Sequence, residues 1–469
     1  MSSKTVSLKE VKRVSIGEIF DASQFTSYQL LVCGLCFLVT FLDGFDLTVI
    51  GVALPKMADF LHVKPSALGL ALAAGQFGPL IGAIVLGTLA DRFGRKWMLF
   101  ISALIFGVFT MMTAFVTNVE QVALYRFLGG LGLGGAVPNA LTFGSEYAPA
   151  RSRATFVTTM YAGMPGGSVL GALSAVWLLP HYGWQSLFLM GGGAPIIIAL
   201  ALALLLPESL EFLAQKGKNK LQVRKIISKF APALAADENV EFYSTAKKLP
   251  GIPVKHLFME GRALTTVLLW IALIGSLYSL WVLVSWAPTL LKRSGASIQQ
   301  YSLAFACLHF GAFVATITFG RVMDKFNPFR VLMVGFAVGA LSLAAFGLTA
   351  GGSFLIIAIL SVVCGAFING SNAGLLAVAT TFYPVDIRAS GIGWAYAVAK
   401  VGAMLAPAVG GFLLTQNLSV SRICGYQAVV GLFVAALLIL LHGRAKHAAA
   451  VARGAEEVAA RRVSAGEAA

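Results

Sequence analysis

The chain has 469 residues, of which 58% are hydrophobic and only 12% charged, and its formal net charge is +15. That balance excludes an ordinary soluble protein, where charged residues run near a quarter of the total. The basic excess would suggest a nucleic-acid partner only if it sat on a soluble domain.

Residues 1–29 are polar with a modest helical pattern, and they carry Lys4, Lys9, Lys12 and Arg13 with no short apolar core and cleavage site. They read as a cytoplasmic segment ahead of a retained first span. Stretches of about 20 apolar residues then place twelve spans, starting near residues 30, 67, 97, 121, 154, 184, 264, 301, 329, 353, 389 and 424. In lipid every backbone group must be satisfied within a helix or a closed barrel, so the reading is a helical integral membrane protein.

The first span holds Asp43 and Asp46 in the run FLDGFD. A carboxylate at the bilayer centre costs about 2.5–3.5 kcal/mol on insertion scales and survives only against protein or water. Residues three apart share one helix face. The pair is either a proton or cation site, or one acid that caps or pairs with a neighbouring helix. Cys33 and Cys36 in VCGLC have CxxC spacing without the βαβ setting of a redox motif, and read as packed thiols.

After the second span, GTLADRFGRK sets Asp91 among Arg92, Arg95 and Lys96 around a tight glycine turn. Charge-assisted hydrogen bonds there can form in one conformation and break in another. Asp91, Arg92, Arg95 and Glu146 are expected to act as a latch, the plainer reading being positive-inside anchoring. Arg126 enters the fourth span and requires an acid, a carbonyl or a substrate carboxylate as its partner. Gly130, Gly132 and Gly135 satisfy GxGxxG, but no strand precedes them, so close helix packing explains them better than a dinucleotide.

Residues 207–262 form a long polar segment with ten Lys or Arg, dividing two sets of six spans. In the second set, His309 lies midway along the eighth span, suited to proton transfer or a substrate hydrogen bond, or to a simple interhelical contact. Lys400 lies near the middle of the eleventh, with Trp394 and Tyr396 shortly before it. One charge and ring faces are what a flat aromatic anion needs, although a lysine can also snorkel. The tail from 443 is Ala- and Arg-rich, partly helical or disordered.

The halves repeat weakly. GRVMDKFNPFR after the eighth span, with Asp324, matches the GTLADRFGRK loop, and Arg388-Ala389-Ser390 matches Arg153-Ala154-Thr155. Asp324 and Arg388 therefore join the gating candidates. Of the 35 basic residues, 28 lie in the termini and even-numbered loops and 5 in the opposite loops. The positive-inside rule then puts both termini in the cytoplasm, and the charge becomes a topology signal with no nucleic-acid partner.

The GxLADRxGRK loop, the RFLGGLGLGG run, LPES closing the sixth span and the six-plus-six layout resemble the major facilitator superfamily over essentially the whole chain. The DGFD stretch, Arg126, Glu146 in FGSEYAPARSR and Arg388 in YPVDIRASG resemble its aromatic acid:proton symporter branch. That resemblance implies an all-α integral membrane fold of twelve helices in two pseudo-symmetric six-helix bundles. It divides the chain into a cytoplasmic segment 1–29, bundles 30–206 and 263–442, a cytoplasmic linker 207–262 and a tail 443–469. It implies inward transport of benzoate- or hydroxybenzoate-like acids with protons, by alternating access about a midplane site, across the bacterial inner membrane. Branch members commonly carry Arg where this chain has Lys400, which keeps the charge and loses the planar fork.

On that reading Asp43, Asp46 and His309 couple protons, while Lys400, Arg126, His309, Trp394 and Tyr396 bind substrate. The partners are the aromatic carboxylate, protons and the bilayer, for a protein working as a monomer. The sequence has no GxxxxGK[ST] loop, no clustered His and Cys ligands and no catalytic triad, so no cofactor, metal or enzymatic activity is expected. The alternatives are another organic anion such as a dicarboxylate or sugar acid, export, or a receptor that binds the acid without moving it.

Overall fold

The computed structural model describes residues 12–15, 19–20, 26–149, 153–216, 220–230, 234, 236–237, 240–243, 254–259, 261–379, 382–383, 385–416 and 418–467. Among them six long helices precede the linker: α1 (Ser27–Phe60), α2 (Leu68–Phe93), α3 (Arg95–Met112), α4 (Val119–Glu146), α5 (Arg153–Tyr182) and α6 (Gln185–Leu205). Two short ones, α7 (Leu210–Lys216) and α8 (Lys220–Ile227), lie within it. Six more long helices follow: α9 (Ala263–Arg293), α10 (Ile298–Lys325), α11 (Pro328–Thr349), α12 (Phe354–Ala379), α13 (Val385–Thr415) and α14 (Val420–Glu467).

Eleven of the twelve long helices are long and apolar enough to cross a membrane. The exception is α4, whose glycine run, Asn139 and Arg126 dilute its hydropathy. It is nonetheless a full helix of 28 residues with Gly129, Gly130, Gly132, Gly134 and Gly135 all buried, so it packs inside protein where apolar side chains are not required.

Local chemistry fixes the helix starts. Thr26 and Gln29 form a reciprocal box ahead of α1, with Thr26 N donating to Gln29 Oε1 at 2.9 Å and Gln29 N to Thr26 Oγ1 at 3.3 Å. Asn118 caps α4 through Gln121 N at 2.8 Å, and Ser297 with Gln300 makes a capping box for α10. The α2–α3 turn passes through Gly94 at φ +108°, a conformation open to glycine and strained for other residues.

The chain divides into two compact units, residues 1–49 with 74–249, and 50–73 with 250–469. In the first, α3 packs on α4 and α6. Helices α1 and α5 approach so closely that a Cβ at Gly44 would collide with the Met164 carbonyl, and one at Gly167 with the Phe41 carbonyl. In the second unit α10 packs on α12, α11 on α14, and α9 on α13.

One element departs from the sequence reading. The N-terminal segment, expected to be modestly helical, contributes strand β1 (Lys12–Ser15), paired in parallel with β2 (Val240–Tyr243) from the linker. Strands this short carry too few residues to declare a period, and their pairing is supplied by residues more than two hundred positions away. Val14 on β1 and Val240 on β2 join a core with Phe20, Tyr147, Leu210, Val223 and Ile226, so the linker is packed onto the first unit.

Candidate functional site

A buried ion pair in the first unit joins α1 to α4. Asp46 is fully buried, and both its oxygens accept from Arg126: Nη1 to Oδ1 at 2.8 Å and Nη2 to Oδ2 at 2.7 Å. This is the planar bidentate geometry that guanidinium supplies and ammonium lacks. Thr110 of α3 adds a third donor to Asp46 Oδ1 at 3.2 Å. Asp43 is half-buried one turn earlier, and its charge also acts on Arg126. Three basic or acidic side chains on two helices thus form one group.

The backbone beside the acids is bound as well. The Gly44 carbonyl accepts from Ser168 Oγ of α5 at 2.9 Å and from Thr48 Oγ1 at 3.1 Å. Thr40 Oγ1 donates to the Met160 carbonyl of α5. Glycines at 44, 163 and 167 let α1 and α5 meet backbone to backbone, which makes these hydroxyl contacts possible. The acids therefore sit on a helix held on two sides, by α4 and by α5.

A second cluster forms where α3 begins and α4 and α6 end. Arg95 and Glu146 are an ion pair, and Ser209 Oγ donates to Glu146 Oε2 at 2.5 Å. Glu208 Oε1 accepts from Lys96 N at 3.1 Å and Ser209 N at 2.9 Å. Tyr147 OH donates to the Glu208 carbonyl at 3.0 Å, and Gln29 Nε2 to the Tyr147 carbonyl at 2.8 Å. Burial, the first of its causes, pushes the Tyr147 phenol well above its ordinary value, so it remains a donor. Of the latch residues, the structure brings Arg95 and Glu146 together and leaves Arg92 exposed, its guanidinium 5.5 Å from the Phe93 ring. The side chains of Asp91 and Arg388 lie outside the described residues.

In the second unit the candidates are more dispersed. Lys400 is half-buried on α13, with Nζ 5.2 Å from the Tyr396 ring centroid, within cation–π range. Trp394 and Tyr396 are each almost half exposed. His309 is buried on α10, its ring edge-on to Phe305 at 4.7 Å. Asp324 is exposed at the end of α10. Lys292 on α9 pairs with Asp59 at 2.5 Å and donates to the Pro55 carbonyl at 3.1 Å, all within this unit.

Sequence reasoning passed over Thr110, Ser168, Glu208 and Ser209. The last two stood in the quoted LPES run, at the end of a span and beside a basic loop, and that placement was the available signal. Thr110 and Ser168 had none, since a lone hydroxyl in an apolar helix usually bonds its own backbone. Among the described residues no group of His, Cys, Asp and Glu is arranged to hold a metal.

The profile of the Major Facilitator Superfamily matches residues 36–297 and 269–466. The chain is 36% identical over 437 residues to the 4-hydroxybenzoate transporter PcaK of Acinetobacter baylyi, covering 90% of this chain and 94% of that protein. It is 33% identical to a gallate transporter of Pseudomonas putida, covering 92% and 96%. Its fold superposes on the crystal structure of a D-xylose-proton symporter with a TM-score of 0.68 at 19% identity, covering 88% of this chain and 97% of that one.

Proposed function

The chain belongs to the major facilitator superfamily, a multi-pass membrane transporter and not an enzyme, and we propose that it imports a small aromatic carboxylate together with protons. The observation that carries this reading is the buried bidentate pair of Asp46 and Arg126, with Asp43 beside it. Relatives named for carrying 4-hydroxybenzoate and gallate support the substrate class.

The pair suggests how a proton and an acid are exchanged. While Asp46 is ionised, both its oxygens hold Arg126, and the guanidinium has its carboxylate. Protonation of Asp46 cancels its charge and turns one oxygen into a donor, so the guanidinium is left to take a different carboxylate. The substrate's acid group is the replacement. Asp43 serves as the neighbouring site through which the proton arrives. Lys400, with the Tyr396 ring against its ammonium and Trp394 nearby, offers a second charge and ring faces to the arene. His309 supplies a hydrogen bond to a ring substituent. A neutralised site changes between outward- and inward-open states at lower electrostatic cost than one holding an unpaired buried charge. Arg95 with Glu146, together with Arg92, Asp91, Asp324 and Arg388, then regulates that change at the loops.

The domains follow the same reading, with a cytoplasmic segment 1–29, bundles 30–206 and 263–442, a linker 207–262 and a tail 443–469. The protein works as a monomer in the bacterial inner membrane with both termini cytoplasmic, because the basic residues concentrate in the termini and even-numbered loops. Uptake of labelled benzoate, 4-hydroxybenzoate, protocatechuate, gentisate and a non-aromatic dicarboxylate, each with and without a protonophore, tests the function. Saturable accumulation of an aromatic acid that collapses with the protonophore is expected. Accumulation of the dicarboxylate alone would overturn the substrate class, and aromatic accumulation indifferent to the protonophore would overturn the coupling.

A further inference from the structure

A cavity of about 490 Å³ opens on the first unit where α1 and α3 begin, α6 ends and the short linker helices α7 and α8 lie across them. Its volume is in the range of ligand pockets, roughly 300–1,000 Å³. It lies apart from the Asp46–Arg126 pair and borders the Arg95–Glu146 cluster through Lys96 and Glu208, while Lys225 and Lys229 belong to neither. Three lysines line it: Lys96 from α3, Lys225 from α8 and Lys229 just after α8. Glu208 is the lining acid, and its Oε1 already accepts two backbone N–H groups. The cavity therefore keeps an excess of positive charge.

The remaining walls have the character of a membrane boundary. Trp97 is about half exposed, and Lys96 Nζ lies 5.7 Å from its ring. Leu204 and Leu205, the last residues of α6, are 82% and 50% exposed. Aromatic rings and a lysine at the end of a span, with bare leucines just inside it, match the headgroup level with acyl chains below. The platform above is built, not loose. Val223, Ile226 and Ile227 of α8 are buried, and Arg224 ties the helix to the linker strand by donating to the Asp237 carbonyl at 2.7 Å and the Val240 carbonyl at 2.9 Å. Lys229 Nζ lies 4.0 Å from the Tyr28 ring centroid, which fixes one ammonium over the cavity wall.

We infer that this cavity binds the phosphodiester headgroup of an anionic phospholipid, its acyl chains running along Trp97, Leu204 and Leu205. Basic pockets at the ends of membrane helices recognise such headgroups by charge. A zwitterionic ethanolamine lipid brings its own ammonium against the three lysines and is disfavoured. The linker thereby gains a lipid contact as well as the β1–β2 ladder to hold it on the first unit. The inference rests on the orientation given above only in assigning the lipid to the inner leaflet.

The test is native mass spectrometry of the full-length protein in detergent with added phosphatidylglycerol or phosphatidylethanolamine. It compares wild type, Lys225→Gln/Lys229→Gln and Lys225→Arg/Lys229→Arg, all checked for unchanged melting temperature. Both lysines are exposed and lie outside the proposed transport machinery. Phosphatidylglycerol adducts are expected on the wild type and the Arg variant, and roughly tenfold weaker on the Gln variant. A large excess of inorganic phosphate should leave them in place. Equal adducts for the two lipids, or equal adducts on all three proteins, would overturn the inference. Displacement by phosphate would assign the cavity to a free phosphate instead of a lipid. None of these outcomes depends on transport or on orientation, which reporter fusions at the termini examine separately.

Discussion

Arg126 and Lys400 both lie well within long helices, and their surroundings differ. Arg126 in the first unit is closed in a bidentate pair with Asp46, a Thr110 hydroxyl completing the acid's shell. Lys400 in the second unit is half-buried and meets a ring face in place of a carboxylate. The first arrangement satisfies both charges, so on the proposed mechanism a substrate would reach Arg126 only after a proton has displaced its partner. The second sets an ammonium against a neutral ring, which on the proposed mechanism would let it take an anion without a prior proton. Coupling is expected to reside in the first and affinity in the second.

The comparison breaks most visibly at the buried pair. Arg126→Gln or Asp46→Asn alone leaves one buried group without its partner, at a cost of about 3–5 kcal/mol. Each single variant should melt well below wild type and lose proton-coupled accumulation. The double variant Asp46→Asn/Arg126→Gln removes both charges and should recover most of the melting temperature without recovering accumulation. Recovery of both would make the pair a structural strut. Lys400 gives a smaller and different effect. Lys400→Gln should raise KM for uptake roughly ten- to a hundredfold, the size of one hydrogen bond to a charged group, with little change in stability. Lys400→Arg should retain uptake, since the charge persists. A fall in protonophore sensitivity on changing Lys400, with KM untouched, would reverse the assignment of the two residues. The smallest effect sharpens the contrast between buried and exposed charge. Lys292 and Asp59 are both substantially exposed, so Lys292→Gln should alter stability by about 0–1 kcal/mol.

Much of this was legible in the sequence. Apolar stretches near twenty residues placed the long helices to within a few positions, because lipid leaves a helix almost no alternative. Asp43, Asp46 and Arg126 drew attention for the same reason, as charge in hydrocarbon needs a partner. Their relation was not legible. Nothing in the sequence said that Asp46, and not Asp43, takes both guanidinium nitrogens, since the choice depends on how α1 and α4 are rotated against each other. Gly130, Gly132 and Gly135 suggested close packing of α4, yet only the folded chain showed α1 and α5 meeting and set Ser168 against the Gly44 carbonyl. LPES was recognisable as a motif, while the hydrogen bonds of Glu208 and Ser209 depend on where three helix ends converge.

The sequence by itself determined the helical membrane class, the number of long helices and the residues whose charge needs an explanation, because hydropathy and the cost of buried charge act locally along the chain. Tertiary structure alone decided the pairing of Asp46 with Arg126, the parallel ladder between β1 and β2, and the lysine-lined cavity under the linker. Each of these joins residues from distant parts of the chain, and their distances and angles are set by helix packing, which no local pattern encodes.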